Sequence, residues 1–157
     1  MDALRDKGNP VIWVRQEFQP DLSDGFLEIR KNRTPITITG TEGCEILPEL
    51  HRERSDTTIV KKRYSAFFGT SLDALLTSLA PDLLIVCGVN THACIRTTVI
   101  DGYQRDYDVV VASDCVGSYD MVHHKITMDY LSNAIARVLT VQEILAGGIE
   151  ENVHGDH

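Results

Sequence analysis

Cys94 lies where a cysteine can act as a nucleophile. It follows residues 83–87, an apolar run that predicts a buried strand, and it precedes a stretch that continues as a helix to about residue 105. The thiol is therefore expected in the first turn of a helix, where backbone N–H groups stabilise a thiolate, the nucleophilic form of cysteine. The alternative is a small thiol that only packs in the core.

Lys61 ends another predicted strand, over residues 57–61. In a parallel sheet the carboxyl ends of the strands meet at one edge, and ligands bind at that edge. We therefore expect Lys61 and Cys94 to lie at the same edge. The alternative is a solvated surface charge, and Lys62 is the second choice for a functional lysine.

Alternating strands and helices predict an α/β fold. Apolar runs predict strands at residues 11–15, 36–39, 57–61, 83–87, 108–114 and 138–141, and helical patterns cover residues 2–7, 71–79, 92–105 and 123–138. This order predicts a doubly wound, mainly parallel sheet with helices on both faces. We expect one domain over residues 1–149 and a polar tail over residues 150–157.

Composition excludes several classes of protein. The chain has 157 residues, 43% of them hydrophobic, and a formal net charge of −8. These values argue against disorder, and the acidic balance argues against a nucleic-acid or membrane partner. No apolar run approaches the roughly 20 residues of a membrane span, and the N-terminus does not resemble a signal peptide, so we expect a cytoplasmic location.

The cysteines other than Cys94 show no pattern of metal ligands. Cys44, Cys87 and Cys115 are widely spaced and form no C-x-x-C pair. Cys87 and Cys115 fall in apolar strands, so we expect both to be small buried hydrophobic residues. In a reducing cytoplasm we expect no disulfide.

Two runs together resemble the isochorismatase-like cysteine hydrolases: KKRYSAFFGTSL at residues 61–72 and GVNTHAC at residues 88–94. The resemblance covers nearly the whole chain, and it implies a three-layer fold with strand order 3-2-1-4-5-6. It also implies cleavage of a C–N bond in a small amide, carbamoyl or ureido compound through a cysteine thioester. A small-molecule substrate, no cofactor and a homo-oligomer are the further implications.

The resemblance assigns roles to particular residues. Cys94 matches the nucleophile and Lys61 matches the lysine of an Asp–Lys–Cys triad. A cis peptide between Val89 and Asn90 is implied, which would turn the N–H groups of Asn90 and Cys94 toward the substrate oxygen. Such donors form an oxyanion hole.

Four residues are candidates for substrate binding. Arg15 and Gln16 follow the end of the predicted strand at residues 11–15, where they can bind a polar substrate, as can Glu17 after them. Solvation of a loop is the alternative for this group. For Phe67 the resemblance allows an aromatic contact with the substrate, whereas packing in the core is the simpler interpretation.

The triad aspartate has no match in this chain. In the family it ends a first, inner strand, which would stand before residue 1. Its loss would leave a gap of roughly 10 Å between the strands at residues 11–15 and 83–87. Three explanations are open: the sheet closes up, another segment or another chain fills the slot, or the sequence is truncated. We favour truncation.

Without that aspartate we expect residues 1–157 to hydrolyse amides weakly or not at all. The alternative function is therefore a catalytically impaired, truncated paralogue that acts as a subunit or an interaction partner.

We predict no metal site. Side chains of His123 and His124 would point about 100° apart on a helix and cannot easily share an ion. Nicotinamidase-like members bind a metal through an aspartate and histidines after the second strand, but residues 15–21 contain no histidine. Nicotinamide is therefore disfavoured as the substrate. Isochorismate is disfavoured too, because members that cleave it do not need the cysteine that this chain keeps.

Overall fold

The computed structural model describes residues 1–149, which divide into two compact units, Met1–Leu75 and a second unit that begins at Leu76. The strands are β1 Ile12–Gln16, β2 Thr57–Lys61, β3 Leu83–Val89, β4 Asp108–Gly117 and β5 Arg137–Leu139. The helices are α1 Asp2–Arg5, α2 Leu27–Asn32, α3 Leu72–Leu79, α4 Arg96–Tyr103, α5 Met121–Ala134 and α6 Val141–Leu145. The predicted tail at 150–157 lies outside the described residues, and the single domain over 1–149 stays a prediction.

The first unit is built on a parallel pair of strands. β1 and β2 run side by side in a register that places Gln16 opposite Lys61 at their carboxyl ends. Ile59 of β2 is buried, and Phe18, two residues after the end of β1, is fully buried. The pair therefore brings the end of the first predicted strand and the predicted functional lysine to one edge, as parallel strands require.

A single carboxylate oxygen accepts hydrogen bonds from three residues of the first unit. Oδ2 of Asp56 accepts hydrogen bonds from Trp13 Nε1 at 2.8 Å, Arg5 at 2.8 Å and the backbone N–H of Glu53 at 2.9 Å. The Asp56 side chain is 5% exposed. The indole hydrogen bond is the main reason that the pKa of Asp56 falls to about 2, against the opposing effect of burial.

Asp56 is therefore expected to make stability depend on pH. An unfolded aspartate has a pKa of about 3.9, so the carboxylate stabilises the fold above about pH 4, and this contribution is lost as the pH falls toward about 2. The variant Asp56→Asn lacks the charge at every pH. The difference in urea midpoint between the two proteins should be largest at neutral pH and shrink between pH 4 and pH 2. A difference that stays constant over this range contradicts the prediction.

The second unit has a parallel sheet with helices on both faces. Its strand order is β3-β4-β5. One face carries a buried cluster to which α4 and α5 contribute, and the other face carries a cluster to which α6 contributes. The members of the first cluster are Ile95, Val99, Val109, Val111 and Leu131. The members of the second cluster are Val110, Ala112 and Ile144. The predicted α/β class with parallel strands is therefore confirmed.

The strands form two hydrogen-bonded sheets, β1-β2 and β3-β4-β5, where the sequence predicts one. β1 and β3 are thus each an edge strand of their own sheet. Within each sheet the order of the strands agrees with the order that the resemblance implies.

The strand predicted at residues 36–39 is wrong. Within the described residues this segment makes only an isolated bridge between Phe18 and Ile38. Thr37 has a φ of 45°, so the backbone leaves the extended conformation in the middle of the alternating segment. A pattern of alternating side chains does not detect such a turn.

Among residues 1–149, none of the helices combines the length and apolar character that crossing a membrane requires.

Candidate functional site

Cys94 lies at a junction between strand and helix in the second unit. β3 ends at Val89, and the Val89–Asn90 peptide bond is cis. Residues Thr91–Ile95 then form one turn of π-helix that leads directly into α4. Cys94 is half-buried within this turn. We call residues 88–95 the nucleophile turn.

Gly88 opens the nucleophile turn in a conformation that favours glycine. Its φ is +122°, outside the regions that residues with a side chain readily adopt. Space is not the constraint, because a Cβ at this position would lie 3.7 Å from the Ile95 side chain, an ordinary contact. The glycine is therefore required by the backbone path from β3 into the turn.

Two histidines connect the nucleophile turn to the elements around it. Nδ1 of His92 lies 2.6 Å from the Ser118 hydroxyl in the loop after β4, and Nδ1 of His124 on α5 lies 2.9 Å from the Thr91 hydroxyl. Thr91 is fully buried. Thr91 and His92, which lie between Asn90 and Cys94, thus each have a side-chain partner outside the turn. Sequence reasoning missed these contacts, because it interpreted His123 and His124 as metal ligands or as a solvated helix start and gave His92 no role.

The histidine pair itself takes separate partners. His123 contacts Asp120 through Nδ1 at 2.7 Å, whereas its neighbour His124 contacts Thr91. Asp120 also caps α5 by accepting from the His123 backbone N–H. Over residues 1–149 there is no group of three or more histidine, cysteine, aspartate or glutamate side chains placed to hold a metal ion.

Lys61 in the first unit has a buried ammonium group. The residue is 6% exposed, and Nζ donates to the backbone carbonyls of Arg63 and Tyr64, each at 2.8 Å. Lys62, by contrast, forms an ion pair with Asp24 at 2.9 Å and keeps a third of its side chain exposed. A buried lysine is the rarer of these two environments, and it argues against the solvated-charge interpretation of Lys61.

Arg15 and Gln16 lie at the carboxyl end of β1. The Arg15 guanidinium is ion-paired with Glu17 at 2.5 Å and with Glu45 at 2.6 Å. The side-chain amide nitrogen of Gln16 is buried and has no hydrogen-bond partner among the described residues. Such a donor is costly to leave unsatisfied, so it is the stronger candidate for a substrate contact.

Phe67 is 4% exposed, which favours the core-packing alternative. Its contact with a substrate stays a prediction. Lys61 belongs to the first unit and Cys94 to the second. Their meeting at one edge also stays a prediction.

A comparison with protein families shows to which family the chain belongs. The family described as Isochorismatase domain matches residues 1–143. The chain belongs to the isochorismatase family. The resemblance seen in residues 61–72 and 88–94 is therefore confirmed.

Curated relatives of this isochorismatase-family protein include enzymes of amide chemistry. The chain is 33% identical over 149 residues to a probable inactive nicotinamidase of Arabidopsis thaliana, covering 91% of the chain and 76% of that protein. It is 28% identical to the maleamate amidohydrolase of Pseudomonas putida, covering 90% of the chain and 67% of that protein.

Solved structures agree with the α/β fold. An isochorismatase family protein from Desulfovibrio vulgaris superposes with a TM-score of 0.83 at 28% identity, covering 96% of this chain and 78% of that one. The N-carbamoylsarcosine amidase from Thermoplasma acidophilum superposes with a TM-score of 0.77 at 28% identity, covering 88% and 76%. The chain thus belongs to the isochorismatase-like hydrolase family by sequence and by fold.

Proposed function

We propose that the protein hydrolyses the C–N bond of a small amide, carbamoyl or ureido compound, with Cys94 as the nucleophile. The observation that carries this proposal is the position of Cys94, half-buried in the turn between β3 and α4. An amidase and an amidohydrolase among the relatives support the choice of bond.

The proposed reaction has two covalent steps. The Cys94 sulfur attacks the carbonyl carbon, and the N–H groups of Asn90 and Cys94 stabilise the oxyanion that forms. The C–N bond then breaks, the amine leaves with a proton, and a thioester remains on Cys94. Water attacks the thioester, which releases the acid and restores the thiol.

Other residues complete the proposed site. Lys61 stabilises negative charge during acylation, and its buried ammonium group supports that role. Gln16 and Arg15 bind polar groups of the substrate, and the unsatisfied amide of Gln16 supports the first of these contacts. Phe67 is a weaker candidate because it is only 4% exposed.

A second candidate function is a catalytically impaired member of the family. An amine is a poor leaving group unless it is protonated as the C–N bond breaks, and this needs a general acid. The sequence motif gives no aspartate of this chain that role. A relative with 33% identity that is described as a probable inactive nicotinamidase supports this alternative.

Two substrates separate the candidates. Ammonia release from a panel of small primary amides, carbamoyl and ureido compounds measures complete hydrolysis. Acylation by p-nitrophenyl acetate measures the nucleophile alone, because nitrophenolate leaves as an anion and needs no proton. Ammonia release supports the hydrolase. A burst of nitrophenolate without ammonia supports the impaired protein, and the absence of both contradicts a role for Cys94 as nucleophile.

The variant Lys61→Met tests the proposed role of Lys61. Loss of its positive charge should slow the burst of nitrophenolate by about tenfold or more, because charge that develops during acylation is no longer stabilised. Lys62→Met is the matched control and should keep the wild-type rate, since the charge of Lys62 is already paired with that of Asp24. Equal rates for both variants, with both proteins folded by circular dichroism, would remove Lys61 from the site.

A further inference from the structure

Two cysteines outside the nucleophile turn lie next to each other on neighbouring strands. β3 and β4 are parallel, and Gly88 pairs with Val116 in their register. Cys87 directly precedes Gly88, and Cys115 directly precedes Val116. The register shifts between Val86 and Gly88, so β4 has more residues than β3 in this interval. These extra residues of β4 lie opposite Cys87, and the last of them is Cys115.

The two side chains share one face of the sheet. Leu83 and Ile85 of β3 pack against the cluster on the α6 face, and alternation along the strand places Cys87 on that same face. Val116 packs against the opposite cluster, together with Val86. Its neighbour Cys115 therefore points to the α6 face as well.

The thiols are close enough to influence each other. Paired residues on neighbouring strands lie about 4.8 Å apart, and the two cysteines directly precede the pair Gly88 and Val116. We therefore expect their Cα atoms near the range of about 4.4–6.8 Å that a disulfide spans. Desolvation by the surrounding protein raises the pKa of the Cys87 thiol, and the Cys115 thiol raises this pKa further because two adjacent thiolates repel.

Both residues are accessible, contrary to the sequence-based expectation. Cys87 and Cys115 are exposed, and only Cys44 of the four cysteines is buried. The expectation was wrong because each cysteine lies near the carboxyl end of its strand, and neither is among the residues of the two core clusters. Cys87 is also on β3, an edge strand of its sheet.

We propose that Cys87 and Cys115 form a reversible disulfide within one chain when the protein meets a peroxide. This oxidative modification site links β3 to β4 immediately before the nucleophile turn. It does not depend on hydrolytic activity, so its test stands apart from that of the proposed function.

The chemistry balances with hydrogen peroxide as the oxidant. One thiolate attacks a peroxide oxygen and breaks the O–O bond, which gives a sulfenic acid and hydroxide. The second thiol attacks the sulfenic sulfur, the S–S bond forms, and water leaves. Two thiols lose two electrons in total, and hydrogen peroxide is reduced to two waters. The rate should rise with pH, since more thiolate is then present.

The experiment is a disulfide map of the full-length chain. The protein is treated with hydrogen peroxide, the remaining thiols are alkylated under acidic denaturing conditions, and tryptic peptides are analysed by mass spectrometry without reductant. Cys87 and Cys94 fall in the same tryptic peptide, residues 64–96, while Cys115 falls in residues 106–125. A parallel map of Cys94→Ser therefore assigns the link to Cys87.

The expected result is a cross-link between residues 64–96 and 106–125 in both the wild type and Cys94→Ser, with the chain monomeric on a non-reducing gel and the link removed by dithiothreitol. Cys115→Ser should lose the link, and Cys44→Ser should keep it. A link that disappears in Cys94→Ser, a link between chains, or separate oxidation of the two cysteines without a link overturns the proposal.

Discussion

Replacing Cys94 with alanine is expected to abolish acylation by p-nitrophenyl acetate. Alanine has no group that can attack the ester, so the burst of nitrophenolate should fall on the order of 10³-fold or more, to the background rate of hydrolysis. Wild-type protein should gain one acetyl group in an intact mass spectrum, and the acetyl group should map to Cys94. Ammonia release from any amide that the wild type hydrolyses should be lost in parallel.

The matched control is Cys115→Ala, which removes an exposed thiol at the end of β4. Because the proposed reaction does not use Cys115, this variant should keep the burst and the acetyl group on Cys94. A burst that survives in Cys94→Ala, or an acetyl group that maps to another cysteine, contradicts Cys94 as the nucleophile. Circular dichroism of each variant separates loss of chemistry from loss of fold.

The position of Cys94 was predictable because its determinants are local. An apolar run, a short turn with a glycine and a helical pattern follow one another within about twenty residues, and the motif that contains Cys94 is one unbroken run of sequence. The structure places β3, the turn and α4 in that order. The contacts of the turn with Ser118 and His124 were not predictable, since they join residues 26 and 33 positions apart.

The predicted ends of strands and helices differ from the observed ones where the backbone departs from the regular period of a strand or helix. The third strand runs on to Val89 through Gly88, although the apolar run stops at residue 87. The following strand extends to Gly117 because a shift in register lengthens it. Helix α5 begins at Met121, earlier than predicted, since Asp120 caps it. Hydrophobic periodicity carries no information on such a cap or shift.

The division into two hydrogen-bonded sheets has a different origin. Each pairing, β1 with β2 and β3 with β4, follows from apolar parallel strands whose crossovers contain helices. β1 and β3 each have one paired neighbour. The apolar runs do not encode which strand lies on the unpaired side of either one, because that depends on long-range order. The resemblance implies that order, which stays a prediction.

Leu131→Ala is expected to cause a large loss of stability. Leu131 on α5 is fully buried in the cluster that includes Ile95 and Val99. Removing most of its side chain costs the transfer free energy of the lost atoms and leaves a cavity, which together should lower the free energy of unfolding by about 2–5 kcal/mol. Urea denaturation followed by circular dichroism measures this value.

Ile126→Ala on the same helix is the control for Leu131→Ala. Ile126 is 55% exposed, so its replacement should change the free energy of unfolding by only about 0.5 kcal/mol. Ile95 directly follows Cys94 and packs in the same cluster as Leu131, so the cavity should also loosen the nucleophile turn. The Leu131→Ala protein should therefore show a slower burst of nitrophenolate even in the absence of urea, while it is still folded. Equal losses of stability in the two variants would mean that this cluster does not hold the second unit together.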